Sequence, residues 1–169
     1  MGTRTAPASF EDAFDALFRR AFLVGRRILG DAASAEDVAA EACARAYVHW
    51  RKIGAQDWRE AWVARVATNL ALDVVRKRSR LSDAEGVEEP VDDDDVAIRL
   101  ALVAALARLP KRQREVVAMR HLAGLSEKEC ATALKVSAGS VKTHLSRGLA
   151  ALRSNLGAEI DLEGGTTGV

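Results

Sequence analysis

Six side chains able to hydrogen-bond a base edge or a phosphate fall close together near the C-terminal end of the chain: Ser140, Lys142, Thr143, His144, Ser146 and Arg147. Interleaved with them, Val141, Leu145, Leu149 and Leu152 recur at helical spacing. A helix here buries one face and presents the other. Ser140, Thr143 and Arg147 point away from the apolar stripe, and Lys142, His144 and Ser146 flank them. No acidic residue occurs from Ala138 to Asn155. A short, polar, acid-free helical face suits the major groove of duplex DNA, where base edges present a distinguishable donor and acceptor pattern.

A second constellation lies upstream. Residues 51–80 hold 8 basic and 3 acidic side chains. Trp58 and Trp62 precede the cluster Arg76-Lys77-Arg78. Cations that track phosphates beside aromatic faces that stack on bases are what an unpaired strand requires. A solvated basic helix terminus is the plainer reading, since cations favour that end of a helix; the residues alone leave both open. Arg65, Asn69, Asp73 and Arg76 fall within about 80° on a 3.6-residue helix and form a polar ridge. Asp37, Glu41 and Arg45 form a charged row at i, i+4, i+8, which residue types alone describe as a solvated face.

Other chemistry is not indicated. There is no nucleophile–base pair, no paired carboxylates and no phosphate loop, so the expectation is a protein that is not an enzyme. Cys43 and Cys130 are far apart without metal-ligand spacing and read as buried free thiols. His49, His121 and His144 form no cluster, so neither a metal nor a cofactor is expected. No apolar run reaches the roughly 20 residues needed to span a bilayer, and the N-terminus has no apolar signal-peptide core. These features predict a cytoplasmic protein without membrane insertion.

The elements that must position these groups are helical. The chain has 169 residues, 49% hydrophobic but only 5% aromatic. Abundant Ala, Leu and Arg favour helix over sheet. A first helix is expected over about Phe10–Leu29, with Ser9 as N-cap, a stripe of Phe10, Phe14, Leu17, Ala21, Val24 and Ile28, and a stop at Gly30. A second is expected over about Ala35–Trp50, capped by Ser34. A third follows over about Trp58–Lys77, with Asp57 and Glu60 as a capping box and Trp62, Val66, Leu70 and Val74 as its buried stripe. After it, Leu81–Asp95 carries 8 acidic residues and no basic one. Low apolar content with Gly86 and Pro90 marks this strip as a flexible linker. Val96–Arg108 predicts a fourth helix, with Ile98, Leu102, Ala105 and Leu106 apolar. Leu109-Pro110 breaks the chain, and a fifth helix runs to about Leu122 with Gly124 as its stop. Ser126-Glu127-Lys128-Glu129 is a capping-box pattern opening a short helix. Lys135-Val136-Ser137 turns the chain, and Ser137 caps the last helix, to about Asn155. The final pair has helix–turn–helix spacing, with a small Ala131 at the crossing. The fold expected is all-α, with two small helical domains (9–80 and 96–156) joined by the acidic linker (81–95) and followed by a disordered tail (157–169).

Four segments, in this order and spacing, resemble a known family: AEDVAAEACARAYVHWRK (35–52), WREAWVARVATNLALDVVRKRSR (58–80), ALARLPKRQREVVAMRHLAGLSEKECATAL (105–134) and VSAGSVKTHLSRGLAALR (136–153). The chain resembles a bacterial RNA polymerase sigma factor of the extracytoplasmic-function (ECF) type, of the sigma-70 family. The resemblance covers about Phe10–Leu156. It implies a subunit that binds core RNA polymerase and directs promoter-specific initiation, with an anti-sigma factor as a further partner. It implies that Asp37, Glu41 and Arg45 touch the clamp helices of the largest polymerase subunit. The loop Ile53–Asp57, which includes Gln56, would open and read the −10 element together with Trp58, Trp62, Arg65, Asn69, Asp73, Arg76 and Lys77. The helix–turn–helix would read the −35 element through Ser140, Lys142, Thr143, His144, Ser146 and Arg147. Two positions depart from the pattern: Lys135 stands where the turn commonly has Gly, and Cys43 where a large apolar residue is common. The linker is also unusually acidic, in a way that could mimic nucleic acid inside the polymerase.

Chain reach agrees with that implication. Elements about 17 base pairs apart are separated by roughly 58 Å at about 3.4 Å per pair. A linker of residues 79–96 extends to at most about 60 Å and averages about 23–25 Å when relaxed. The free protein is therefore expected to be more compact than the promoter-bound one. Two other readings compete. A helix–turn–helix regulator acting without polymerase explains 126–155 but not the basic ridge at 51–80. A sigma mimic that only sequesters an anti-sigma factor predicts weakened DNA faces, whereas both remain basic here.

Overall fold

The computed structural model describes residues 9–85 and 94–164, the side chains of 82–85, 94–96 and 158–164 excepted. Helix α1 (Phe10–Leu29) opens on a reciprocal capping box: the Asp12 amide donates to Ser9 Oγ (3.1 Å), and the Ser9 amide donates to Asp12 Oδ2 (3.3 Å). It stops at Gly30, whose φ of 80° is the left-handed cap that glycine adopts without a Cβ penalty. Leu17, Ala21, Val24 and Ile28 are buried as their spacing predicts, but Phe14 is left on the surface, stacked edge-on against Phe10.

Helix α2 (Ala32–Val48) begins earlier than expected. Asp31, not Ser34, is its N-cap and accepts the Ser34 amide at 2.8 Å. That hydrogen bond holds the Asp31 carboxyl below its ordinary range, and the Ser34 hydroxyl accepts from Arg78 instead. A single turn, α3 (Trp50–Ile53), leads to α4 (Arg59–Glu85). Asp57 does not cap α4. The Arg59 amide and guanidinium both donate to the Gln56 carbonyl (3.4 and 3.2 Å), so the helix starts one residue beyond the expected box.

The phase of α4 also differs from expectation. Its fully buried residues are Ala61, Val63, Ala64, Ala67, Thr68, Ala71 and Leu72, while Trp62, Val66, Leu70 and Val74 are only partly covered. Small side chains let α1 and α2 approach one side of α4 closely. Another part of its surface packs on the second half of the chain. Helix α4 continues to Glu85 because Leu81–Glu85 contains no helix breaker. The expected linker is thus helical at its start, and residues 86–93 lie outside the described ones.

In the second half, α5 (Asp94–Ala107) buries Val103, Ala105 and Leu106 but leaves Ile98 exposed. Pro110 is the N-cap of α6 (Lys111–Val117), in keeping with its fixed φ and missing N–H. The expected fifth helix then widens into a π-helical turn (Ala118–Leu122), closed by the Ala123 amide on the Ala118 carbonyl at 3.0 Å. Gly124, at φ 68°, ends it. Helix α7 (Glu127–Leu134) carries the full Ser126–Glu129 capping box, with distances of 3.2 and 2.7 Å. Lys135 occupies the left-handed region (φ 55°), a conformation that disfavours residues bearing a Cβ. Helix α8 starts at Ala138 behind the Ser137 cap (Ser140 amide to Ser137 Oγ, 3.0 Å) and runs to Gly164. Gly157 does not break it, since one glycine costs a helix only about 1 kcal/mol. The helical backbone therefore enters the segment expected to be a disordered tail, of which 165–169 lie outside the described residues.

The two halves share one core. Buried Val116, Met119, Leu125, Cys130, Ala133, Leu134 and Val141 are continuous with the interior formed by α1, α2 and α4. A smaller cluster around Leu106, Leu109, Val117 and Leu152 ties α5, α6 and α8 together. Burial alone pushes the Cys43 thiol up to about 11, and it is the largest cause of the same rise at Cys130, which makes both thiols inert at neutral pH.

Candidate nucleic-acid and partner interfaces

The helix–turn–helix presents the polar face of its second helix openly. Val141 is fully buried, whereas Lys142, Thr143, Ser146 and Arg147 are exposed and Ser140 and His144 half-buried. Two of the hydroxyls are already engaged locally. Ser140 Oγ lies 2.9 Å from Ser137 Oγ, and Thr143 Oγ1 donates to the Gly139 carbonyl (3.0 Å). Lys142 approaches Glu127 of α7 at 3.9 Å, a long surface pair that contributes little. Arg147 has the longest reach on this face.

What holds α8 in place includes a residue that the hydrophobic pattern does not single out. A Cβ at Gly148 would stand 2.7 Å from Val117 Cγ2 and 3.3 Å from Gln113 Cβ. The tight crossing is therefore that of α8 over α6 at Gly148, with Ala131 only partly buried. An isolated glycine within a strongly helical pattern is its sign in the sequence.

The ridge of α4 is arranged differently. Asp57, Asp73, Arg76 and Lys77 are exposed, and Asp73 pairs with Arg76. Gln56, Trp58, Trp62 and Asn69 are half-buried, with the Trp62 ring edge-on to His49 at 5.6 Å. Ile53 is 3% exposed and belongs to the core, so it supports the loop instead of protruding from it. Arg65 is turned onto the second half, donating to the Ala133 carbonyl (3.1 Å) and pairing with the buried Glu115 (3.4 Å). Beyond the ridge, Arg78 pairs with Asp31 at 3.2 Å. The structure thus gathers Asp73, Arg76 and Lys77 on one open patch and withdraws Arg65 and Ile53 from it.

Asp37, Glu41 and Arg45 all lie exposed on one side of α2, with Arg45 Nε donating to Glu41 Oε1 at 2.8 Å. Ala35, Val38, Ala42 and Ala46 bury the opposite side. The row carries no part of the core and is free for a partner.

Comparison with known proteins decides the family. The family model for sigma-70 region 2 matches residues 13–81, and that for sigma-70 region 4 matches residues 99–152. The chain belongs to the sigma-70 family, in its ECF group. It is 37% identical to the RNA polymerase sigma-E factor of Streptomyces coelicolor, over 84% of this chain and 80% of that one. It is 30% identical to the ECF RNA polymerase sigma factor SigW of Bacillus subtilis, over 88% and 89%. Among solved structures, its fold is similar to the sigma factor RpoE in complex with the anti-sigma factor NepR from Bartonella quintana (TM-score 0.54, 20% identity, 87% of this chain and 96% of that one). It is also similar to CnrH in complex with the cytosolic domain of CnrY (TM-score 0.58, 21% identity, 88% of each chain). In this sigma factor, region 2 comprises α1–α4 and region 4 lies within α5–α8. No described helix is long and apolar enough to cross a membrane.

Proposed function

We propose that this sigma factor binds core RNA polymerase in the cytoplasm through the exposed row Asp37, Glu41 and Arg45, and acts without catalysis of its own. Promoter DNA is its second partner. The open patch of α4 and the preceding loop take the −10 element, with Asp57, Asp73, Arg76 and Lys77 outermost and Gln56, Trp58, Trp62 and Asn69 behind them. The face of α8 takes the −35 element through Ser140, Lys142, Thr143, His144, Ser146 and Arg147. An anti-sigma factor is a third partner, by analogy with the complexes that share this fold. No cofactor is required for any of these steps.

The observation that carries the reading is the coexistence, on one chain and in order, of a region 2 match and a region 4 match, each with a basic polar face on its surface. A duplex-binding regulator needs only the second. Adding the chain to core polymerase should produce transcripts from a discrete start site on double-stranded templates. Glu41→Lys should reduce core affinity while leaving the melting temperature nearly unchanged, since an exposed ion pair contributes at most about 1 kcal/mol. Specific binding to duplex DNA that core polymerase neither needs nor improves would refute the proposal.

A further inference from the structure

We propose that the cleft between α4 and α5 is a binding site for a small amphipathic anion, an unbranched apolar chain ending in a carboxylate or a phosphate. The inference goes beyond the reading of the two DNA surfaces and does not depend on it.

The cleft is a cavity of about 890 Å³ lined by the end of α1, the second half of α4 and one side of α5. That volume lies within the roughly 300–1,000 Å³ typical of small-molecule sites. Its lining comprises eight apolar side chains, four arginines, one hydroxyl and, among the described residues, no acid. Ile28, Leu29 and Val103 are its most deeply buried members and belong to the core. Val75 is half-buried, and Leu100 is 45% exposed, an apolar side chain that water still reaches. Arg99 of α5 lies directly over Gly30, so close that a Cβ there would strike its guanidinium. This seat sets α5 against the end of α1 and leaves the cleft beside it. The cations are Arg76, Arg78, Arg80 and Arg108, all of them exposed. Arg76 and Arg78 pair with the surface acids Asp73 and Asp31. Exposed pairs of this kind are weak, so an incoming anion can share their guanidinium groups. Arg80 has no ion pair or hydrogen bond among the described residues.

The lining selects the chemistry of its occupant. A cation would meet four like charges. A sugar or a nucleoside would bury several donors and acceptors, and Ser79 is the one uncharged polar side chain in the lining to receive them; polar groups buried without partners are costly. A neutral hydrocarbon would fill the apolar part but give the guanidinium groups nothing to bind. An apolar chain with an anionic end meets both demands. Its methylenes leave water against Ile28, Val75, Leu100 and Val103. Its head group meets guanidinium forks, which match a carboxylate or a phosphate through two parallel hydrogen bonds.

The test uses the full chain and the fluorescent fatty acid cis-parinarate, below its micellar concentration. The parent should bind it saturably, one molecule per chain. Laurate and dodecyl phosphate should displace it, and their relative affinities distinguish a carboxylate ligand from a phosphate one. Dodecanol and dodecyltrimethylammonium should bind at least about fivefold more weakly than laurate, since they lack the anion. Laurate should bind about tenfold more tightly than decanoate, because two more methylenes are buried. Ala104 is exposed and lines the cleft. Ala104→Trp should fill it and weaken laurate binding by at least about tenfold. Ala150→Trp, at an exposed site on α8, should leave binding unchanged. Arg80→Glu should weaken laurate roughly fivefold and leave dodecanol unaffected. Laurate should also raise the melting temperature of the parent and not that of Ala104→Trp, as binding to the folded state requires. If Ala104→Trp loses its helical spectrum, Arg80→Glu and the chain-length comparison carry the test. No saturable binding below the micellar concentration, equal binding by folded Ala104→Trp and parent, or equal affinity for laurate and dodecanol would overturn the site.

Discussion

The two candidate DNA surfaces contrast in how they are built. The face of α8 stands on a helix fixed by local devices: the Ser137 cap, the Val141 anchor and the close crossing at Gly148. Its side chains are largely open. The ridge of α4 stands on a helix covered from two sides, so part of it is taken up by the packing between halves and only Asp73, Arg76 and Lys77 remain fully outside. A surface for duplex DNA can be permanently displayed, because it meets a regular groove. A surface for an unpaired strand is needed only after the duplex opens, and the ridge proposed for that role is the partly covered one.

The largest expected effect breaks the α4 side alone. Replacing Arg76 and Lys77 with Ala should lower open-complex formation by on the order of tenfold or more, and more than duplex binding. The slope of log affinity against log salt should become shallower by about 1 for each phosphate that is no longer neutralised. Stopped-flow measurement of opening checks this, and a pre-melted bubble template should restore activity. A bubble that fails to rescue would place the defect away from strand capture.

Gly148→Ala perturbs the other side. With a Cβ forced to 2.7 Å from Val117, α8 must shift off α6. Overpacking of this kind destabilises by roughly 1–3 kcal/mol, visible as a lower melting temperature. Binding of the −35 element should weaken while single-stranded −10 binding by the holoenzyme is kept. An equal decrease in both would mean that the two surfaces are not independently supported.

Two smaller effects sharpen the picture of the helix–turn–helix. Lys135→Gly should stabilise by about 1 kcal/mol, because it relieves a Cβ in the left-handed region. It should leave base preference unchanged; chemical denaturation measures the first and selection the second. The Ser126 cap holds the Glu129 carboxyl below its ordinary range. Its folded value is depressed, so its stabilisation is complete above the ordinary glutamate range and is lost as the pH falls through the lowered folded value. Glu129→Gln should flatten that acid limb in a melting-temperature profile.

Local chemistry is more legible in the sequence than distant packing, although Ser34 and Asp57 have cap-like spacing and do not cap their helices. Ser9, Ser126 and Ser137 announce their helices because a cap is a pattern within four residues. Gly30 and Gly124 announce stops for the same reason. The mistaken phase of α4 has a physical cause. Its buried face is built from alanines, whose weak hydrophobicity hides their role in close helix approach, while larger Trp62 and Val66 dominate any periodic reading. Arg65 and Glu115 are separated by 50 positions, and only the folded chain brings them together. Glu115, a single acid in the basic run 111–120, is the one visible trace. The π-helical turn changes one hydrogen-bond register without any composition to mark it. The family motifs point to the candidate surfaces as segments, yet could not show that Ile53 is buried or that Arg65 is engaged.

Sequence selection by the holoenzyme tests most directly whether the two surfaces read separate elements. Randomised double-stranded fragments recovered with core polymerase should yield two separate preferred blocks, one upstream of the other. Repeating the selection with Arg147→Ala should relax preference at one position of the upstream block, by the roughly 1–3 kcal/mol of a bidentate contact, and leave the downstream block intact. A single preferred block, or a simultaneous change in both, would contradict the assignment of one element to α8 and the other to α4.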